Sequence, residues 1–191
     1  MKRKYRIHPF FSDLIPAALS ACDGILFDSH TNCPHCGGGL ARFDVKKKHF
    51  AEVIDGGSTK TVTIRVERFR CRVCRALVYA DQPFYPNTRV GSPVIDLCVT
   101  LSIRMTYSRT STYLQQIGVN VDRWSVRNYV LKNIREIPTT EQFGLVLPVS
   151  IISLVALTSE FGIGTSIGAS AVLSACGYPS SQKSEDTLGK P

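Results

Sequence analysis

Two Cys-x-x-Cys pairs, Cys33-Pro34-His35-Cys36 and Cys71-Arg72-Val73-Cys74, stand 34 residues apart in this chain. Each pair can turn two thiolates toward one point, and two such knuckles close a tetrahedral four-thiolate site, the arrangement structural zinc prefers. The glycines after Cys36 let the backbone turn under a metal. Between the pairs, Arg42 to Ala51 and Thr61 to Arg70 alternate apolar and polar residues, with Val62, Ile64 and Val66 set against Thr61, Thr63 and Arg65. That is strand periodicity, and Asp55-Gly56-Gly57-Ser58 supplies a hairpin turn. A third short strand is expected over Ala76 to Ala80. Spacing and pattern together predict a zinc ribbon holding one structural Zn2+ through Cys33, Cys36, Cys71 and Cys74.

Four protein ligands leave no open position for a catalytic water, so the expected ion forms the fold and does no chemistry. A ribbon this small has little core, and metal binding is expected to supply much of its folding energy. Redox chemistry fits poorly, because neither pair opens a helix after a strand. His35 and His49 are alternative ligands, with His35 expected to face solvent. Cys22, Cys98 and Cys176 stand alone and read as small buried hydrophobes. The N-terminus is basic but Asp13 interrupts its apolar stretch, so no export signal is expected. The seven cysteines are then read in a reducing, cytoplasmic setting, where metal ligation is favoured over disulfides.

The 191 residues carry 23 Lys plus Arg against 15 Asp plus Glu, a formal +8. The excess lies in residues 1–135, which hold 21 basic and 10 acidic residues; residues 136–191 hold 2 and 5. Arginine dominates this charge, and a guanidinium can grip phosphate bidentately and read guanine edges. The expected partner is double-stranded DNA, although a solvated basic face accounts for the charge alone.

After Pro83 to Gly91, expected as a linker, Ser92 and Pro93 read as the cap and first position of a helix. Val94, Leu97, Cys98, Leu101 and Met105 form its apolar stripe. Tyr107 and Ser108 are read as the end of that helix and the cap of a second, which runs to about Gln116 with Leu114 and Ile117 inward. Gly118 makes a turn, and Asp122 caps a third helix from Arg123 to about Ile134, with Val126, Tyr129, Val130 and Ile134 inward. Two short helices joined by a glycine turn describe a helix-turn-helix, although a generic three-helix bundle shares the pattern. The third helix turns Arg123, Arg127, Asn128, Lys132 and Arg135 outward. Its first positions, Arg123, Trp124 and Arg127, are the ones to enter a major groove, and Asn128 suits bidentate contact with adenine. Trp124 either touches the sugar-phosphate wall or packs on the preceding helix. Arg109 and the ribbon arginines Arg70 and Arg72 complete the expected DNA-contacting set.

Cys33-Pro-His-Cys36-Gly-Gly, Arg70-Cys71-Arg-Val-Cys74 and Asp122-Arg-Trp-Ser-Val-Arg-Asn-Tyr-Val130, in that order, resemble the N-terminal half of prokaryotic insertion-sequence transposases. The resemblance covers roughly residues 30–135. It implies recognition of the terminal repeats of a mobile element, with cleavage left to a separate acidic nuclease domain. Such a domain needs three acidic residues to hold two divalent ions. After Arg135 there are only Glu136, Glu141, Glu160, Glu185 and Asp186. The chain therefore resembles a DNA-binding half without its own catalytic residues.

From Gln142 to Gln182 the only charged residue is Glu160. Phe143 to Leu157 is an apolar run broken by Pro148 and too short to span a bilayer. One or two buried helices are expected, packing on the helix-turn-helix or on a second copy, so a homodimer or a separately encoded catalytic partner is in view and a membrane is not. Gly162, Gly164 and Gly168 make a poor phosphate loop, lacking a lysine.

The fold class expected is α+β, in six stretches. Residues 1–29 are an extension, 30–82 the ribbon, 83–91 the linker, 92–135 the helix-turn-helix, 136–179 an apolar helical segment and 180–191 a disordered tail. The function expected is a zinc-stabilised, sequence-specific DNA-binding protein of transposase type, nucleoid-associated in the cytoplasm. A transcription regulator of the same build and a zinc-ribbon protein-interaction module are the alternatives.

Overall fold

A long β-hairpin is the spine of the molecule. The computed structural model describes residues 9–132, 136–161 and 167–178. Over these it is mixed α+β, with six helices and six strands. Strand β1 (Leu26–Phe27) follows helix α1 (Pro9–Ser20). Strands β2 (Leu40–Asp55) and β3 (Ser58–Cys71) pair antiparallel from Asp55↔Ser58 to Leu40↔Cys71, each extending beyond the alternating stretch. Strand β4 (Leu77–Tyr79) adds antiparallel to β3, and β1 adds parallel at Arg65 and Val66. Val62, Ile64 and Val66 are buried as their periodicity requires. The buried face then switches to Glu67, Phe69 and Cys71, while Arg70 is exposed and Arg68 half-buried.

Three helices follow: α2 (Ser92–Ser102), α3 (Tyr107–Gln116) and α4 (Arg123–Leu131). Two caps differ from expectation by a residue or more. Gly91, and not Ser92, precedes α2: the Ser92 amide donates to the Pro83 carbonyl and its side chain is fully buried. Ser92 is thus already inside the helix and cannot cap it. Helix α2 stops at Ser102, three residues short of Met105, and Thr106 occupies the cap position of α3. The Asp122 cap of α4 stands as expected. Its carboxylate accepts from the Trp124 and Ser125 amides at 2.8 and 3.0 Å and from the Ser125 hydroxyl at 2.6 Å. Val94, Leu97, Cys98, Leu101, Leu114, Ile117 and Val126 are buried. Ile134 lies outside the described residues.

The apolar stretch after residue 138 is only partly helical. Strands β5 (Thr139–Gln142) and β6 (Leu145–Pro148) form a second hairpin before helices α5 (Val149–Phe161) and α6 (Ala169–Ala175). Phe143 and Gly144 both take positive φ, 51° and 74°, so the chain reverses there in two residues. No helix among the described residues is long and apolar enough to cross a membrane. The Gly162 and Gly164 positions, and the tail 180–191, lie outside the described residues.

One hydrophobic core joins these pieces. It takes Phe11, Ile15 and Leu19 from α1, Val62 and Ile64 from β3, Leu97 from α2, Leu114 from α3, Val126 from α4 and Leu154 from α5. Helix α1 had not been expected, although Phe11, Leu14, Ile15, Ala18, Leu19 and Cys22 fall at helical spacing. The apolar C-terminal side chains Leu147, Ile151, Val172 and Leu173 are buried in this same core, against the chain's own α1 and α2 side. Phe84 and Tyr85, in the stretch expected as a linker, are also buried.

Candidate metal centre and basic faces

Both Cys-x-x-Cys segments fold into the same turn. The Cys33 amide donates to the Gly38 carbonyl at 3.0 Å, and the Gly37 amide to the Cys33 carbonyl at 2.8 Å. In the second knuckle the Cys71 amide donates to Ala76 at 2.9 Å, and the Arg75 amide to Cys71 at 3.2 Å. The two knuckles are tied to each other by the Arg72 amide on the Gly39 carbonyl, 2.9 Å. The β2–β3 register delivers this meeting, since Leu40, next to the first knuckle, pairs with Cys71.

The four sulfurs consequently converge, all within 4.8 Å of one another. Cys33 Sγ lies 3.7 Å from Cys74 Sγ, and Cys36 Sγ 3.5 Å from Cys71 Sγ. A disulfide needs about 2.05 Å, so these are free thiols. A tetrahedral site with metal–sulfur bonds of about 2.3 Å has sulfur–sulfur edges near 3.8 Å, and the cluster fits that size. These four cysteines can hold a metal ion. His35 is exposed between its cysteines and His49 sits on β2 opposite Thr63, and neither belongs to the cluster.

The thiols are electrostatically unequal. The Cys74 amide holds the Cys71 thiol down, to about 6, against the opposing effect of desolvation and with help from the Val73 amide, 3.4 Å from the sulfur. At Cys74 the Ala76 amide pulls the same way. It is outweighed by the Cys36 thiol, by desolvation and by the Cys71 and Cys33 thiols, and Cys74 is pushed up to about 12. A divalent ion would take all four as thiolates and release the remaining protons. Cys22, Cys98 and Cys176 are buried elsewhere, and burial raises the Cys22 thiol to about 12 and Cys98 further.

The other end of the hairpin is clamped to the turn between α3 and α4. The Ile54 amide donates to the Gly118 carbonyl at 2.8 Å, and the Asn120 amide to the Glu52 carbonyl at 2.9 Å. Val53 and Val119 form a β-bridge. Gly118 has φ +79°, and a Cβ there would lie 2.3 Å from Pro16 of α1, so the turn needs glycine twice over.

From that clamp, α4 projects a basic face. Val126 is its one fully buried residue, while Arg123, Trp124, Arg127 and Asn128 are exposed. Trp124 is 63% exposed, with the Arg123 guanidinium 5.5 Å from its ring, and so does not pack into the preceding helix. Lys132, just beyond α4, donates to the Asn87 carbonyl at 2.6 Å. Arg109 is exposed on α3, and Arg135 lies outside the described residues.

Arg70 and Arg72 are exposed at the metal end. Ten residues of β3 separate Cys71 from Thr61, the register partner of Glu52, a span of about 34 Å at roughly 3.4 Å per residue. The structure thus brings the four cysteines together and keeps the two sets of arginines a strand-length apart.

Sequence reasoning overlooked the solvent face of the sheet near the metal end. Arg68 donates to Asp44 through Nε and Nη2 at 2.6 and 2.5 Å. This pairing holds the Asp44 carboxyl below its usual range. Phe43 and Tyr79 flank that guanidinium, their centroids 5.6 and 5.7 Å away. The signal was present only in cross-strand register, Asp44↔Arg68↔Tyr79, which no linear spacing displays. Compared with known proteins, the chain matches no family model, no curated protein and no solved structure.

Proposed function

We propose that this chain is a zinc-stabilised, sequence-specific double-stranded DNA-binding protein, comparable to the DNA-end-recognition half of a transposase. The observation that carries the reading is α4. It is a nine-residue helix capped by Asp122, with Arg123, Trp124, Arg127 and Asn128 exposed, while Val126 is buried and Tyr129 and Val130 pack half-buried against the core. A short helix anchored on its apolar face and presenting guanidinium and amide groups outward suits insertion into a major groove. With α3 and the Gly118 turn it makes a helix-turn-helix. Helix α2 supports this pair from behind.

The metal end has a structural part in this reading. Four thiolates favour zinc over harder ions and close the coordination sphere. The ion would lock the knuckles, keeping Arg70 and Arg72 where they can meet phosphate. No strand cleavage is assigned to the chain.

Binding of the metal-loaded protein to a randomised duplex pool, with selection and sequencing, tests the proposal. Enrichment of one motif, with affinity falling steeply as salt rises, is the expected result. Salt-insensitive association, or no association, would remove DNA from the reading and favour a protein-interaction module.

A further inference from the structure

We propose that the solvent face of the sheet beside the metal centre is a stacking platform for single-stranded DNA, a second nucleic-acid surface distinct from α4. Its basis is a ladder of alternating rings and cations that runs from the start of the helical layer to the knuckles. Lys48 Nζ lies 4.0 Å from the centroid of Phe84 and 5.6 Å from that of Tyr79. The Arg68 guanidinium lies 5.6 Å from the centroid of Phe43 and 5.7 Å from that of Tyr79, and the Arg70 guanidinium lies 5.2 Å from that of Phe43. Six residues from β2, β3, β4 and the following loop thus form one continuous chain of ring–cation contacts.

The inner end of this ladder is buried and the outer end is open. Phe84 is 7% exposed, whereas Tyr79 and Phe43 are 40% and 49% exposed. Two large rings left in water on one sheet face are not explained by the core they fail to join. The cations beside them are held in place. Asp44 holds the Arg68 guanidinium through two hydrogen bonds, and Lys48 is held by Gln82 at 2.9 Å. These two cations are therefore preorganised, with little side-chain freedom left to lose on binding.

Charge decides the partner. Residues 40–80 hold ten Lys plus Arg against four Asp plus Glu. Two of those acids are already engaged, Asp44 by Arg68 and Glu67 by Arg42 at 3.1 Å. Arg70 has no ion pair among the described residues. Exposed rings accompanied by unneutralised guanidinium charge match a strand whose bases offer π-faces and whose backbone offers phosphates. Paired bases keep their faces inside the duplex, so the platform selects unpaired nucleotides. Stacking of this kind tolerates any base, and the site should show little sequence preference.

The test uses the full, metal-loaded chain with a labelled oligo-dT strand and, separately, a duplex. Oligo-dT should bind in a salt-sensitive way, and Phe43→Ser or Tyr79→Ser should weaken it about fivefold or more per ring, with Tyr79→Phe retaining affinity. Arg127→Ala should leave oligo-dT binding unchanged, so failure of the α4 reading and failure of this one are separable. Photocrosslinking a bromodeoxyuridine strand to the unmutated protein guards against misfolded variants, and adducts should map to β2 and β4. Absence of oligo-dT binding, ring variants indistinguishable from wild type, or adducts confined to other elements would overturn the proposal.

Discussion

Gly37 and Arg75 occupy the same place in the two knuckles, each directly after the second cysteine and each in the left-handed region, at φ +70° and +64°. Both donate their amide to the carbonyl of the first cysteine. Glycine meets that requirement without strain, whereas arginine has a Cβ to accommodate. Arg75→Gly should therefore stabilise the folded protein by about 0.5–1 kcal/mol, despite glycine's greater freedom when unfolded. Denaturant titration of the metal-loaded variant against wild type checks this, and a loss of stability would contradict it.

Metal removal should act locally. The knuckles rest on a small cluster of Cys33, Cys71 and Val78, which only Leu40 joins to the main core that holds Phe50, Val62 and Ile64 among the described residues. Chelation, or Cys71→Ser, should abolish protection from hydrogen exchange over residues 72–79 while residues 50–66 stay protected. The sequence alone suggested a ribbon that draws much of its folding energy from metal. Helix α1 and the α3–α4 turn pack on the hairpin's inner half, so that dependence is expected at the knuckle end only. Loss of protection along the entire hairpin would show the two cores to be one cooperative unit.

Asp122→Ala should destabilise the protein by about 1 kcal/mol through loss of the α4 cap. The Ser125 hydroxyl, then the Ser125 amide, then the Trp124 amide favour the charged carboxylate, and they outweigh desolvation to hold its pKa below the ordinary value. A carboxylate lowered in this way contributes its stability in full above the unfolded pKa near 3.9. It loses that contribution as pH falls through the folded value. The penalty of Asp122→Ala should thus be complete at pH 6 and shrink below about pH 4. Urea unfolding of both proteins across that range measures it.

Arg127→Ala should weaken specific duplex binding by about 1–3 kcal/mol and change base preference at one position, with little effect on stability because the side chain is exposed. Lys132→Ala should have a smaller effect on binding, since its ammonium already serves the Asn87 carbonyl. Titrations of both variants on the selected duplex, at two salt concentrations, separate base contact from phosphate contact.

Gly118→Ala should destabilise by more than about 2 kcal/mol, combining a left-handed backbone with a clash against Pro16. Because this turn carries the hairpin clamp, duplex affinity should fall with it. Thermal unfolding and duplex titration of the same variant test the linkage, and retained affinity in a destabilised protein would break it.

Local rules governed much of what could be read in the chain. Cysteine spacing set the two knuckles, strand alternation marked the middle of β2 and β3, and the Asp122 cap placed the start of α4. Helix α1 escaped notice because Pro16 and Asp13 interrupt a stripe that packing against α5 and β2 stabilises. The β5–β6 hairpin was hidden in an apolar run whose period does not distinguish a buried strand from a buried helix. The ring–cation ladder was out of reach for a different reason. Phe43 sits where the β2–β3 register shifts, between Arg42 and Asp44, and its neighbours come from strands 25 to 36 residues further along. A one-residue change of register would have turned Arg68 and Tyr79 to the opposite face. By itself the sequence determined the four-cysteine set and the capped basic helix, which depend on contacts a few residues apart. The tertiary structure decided the shared core, the clamp between Glu52 and Asn120 and the ladder, because each requires strand register and helix packing to bring distant residues together.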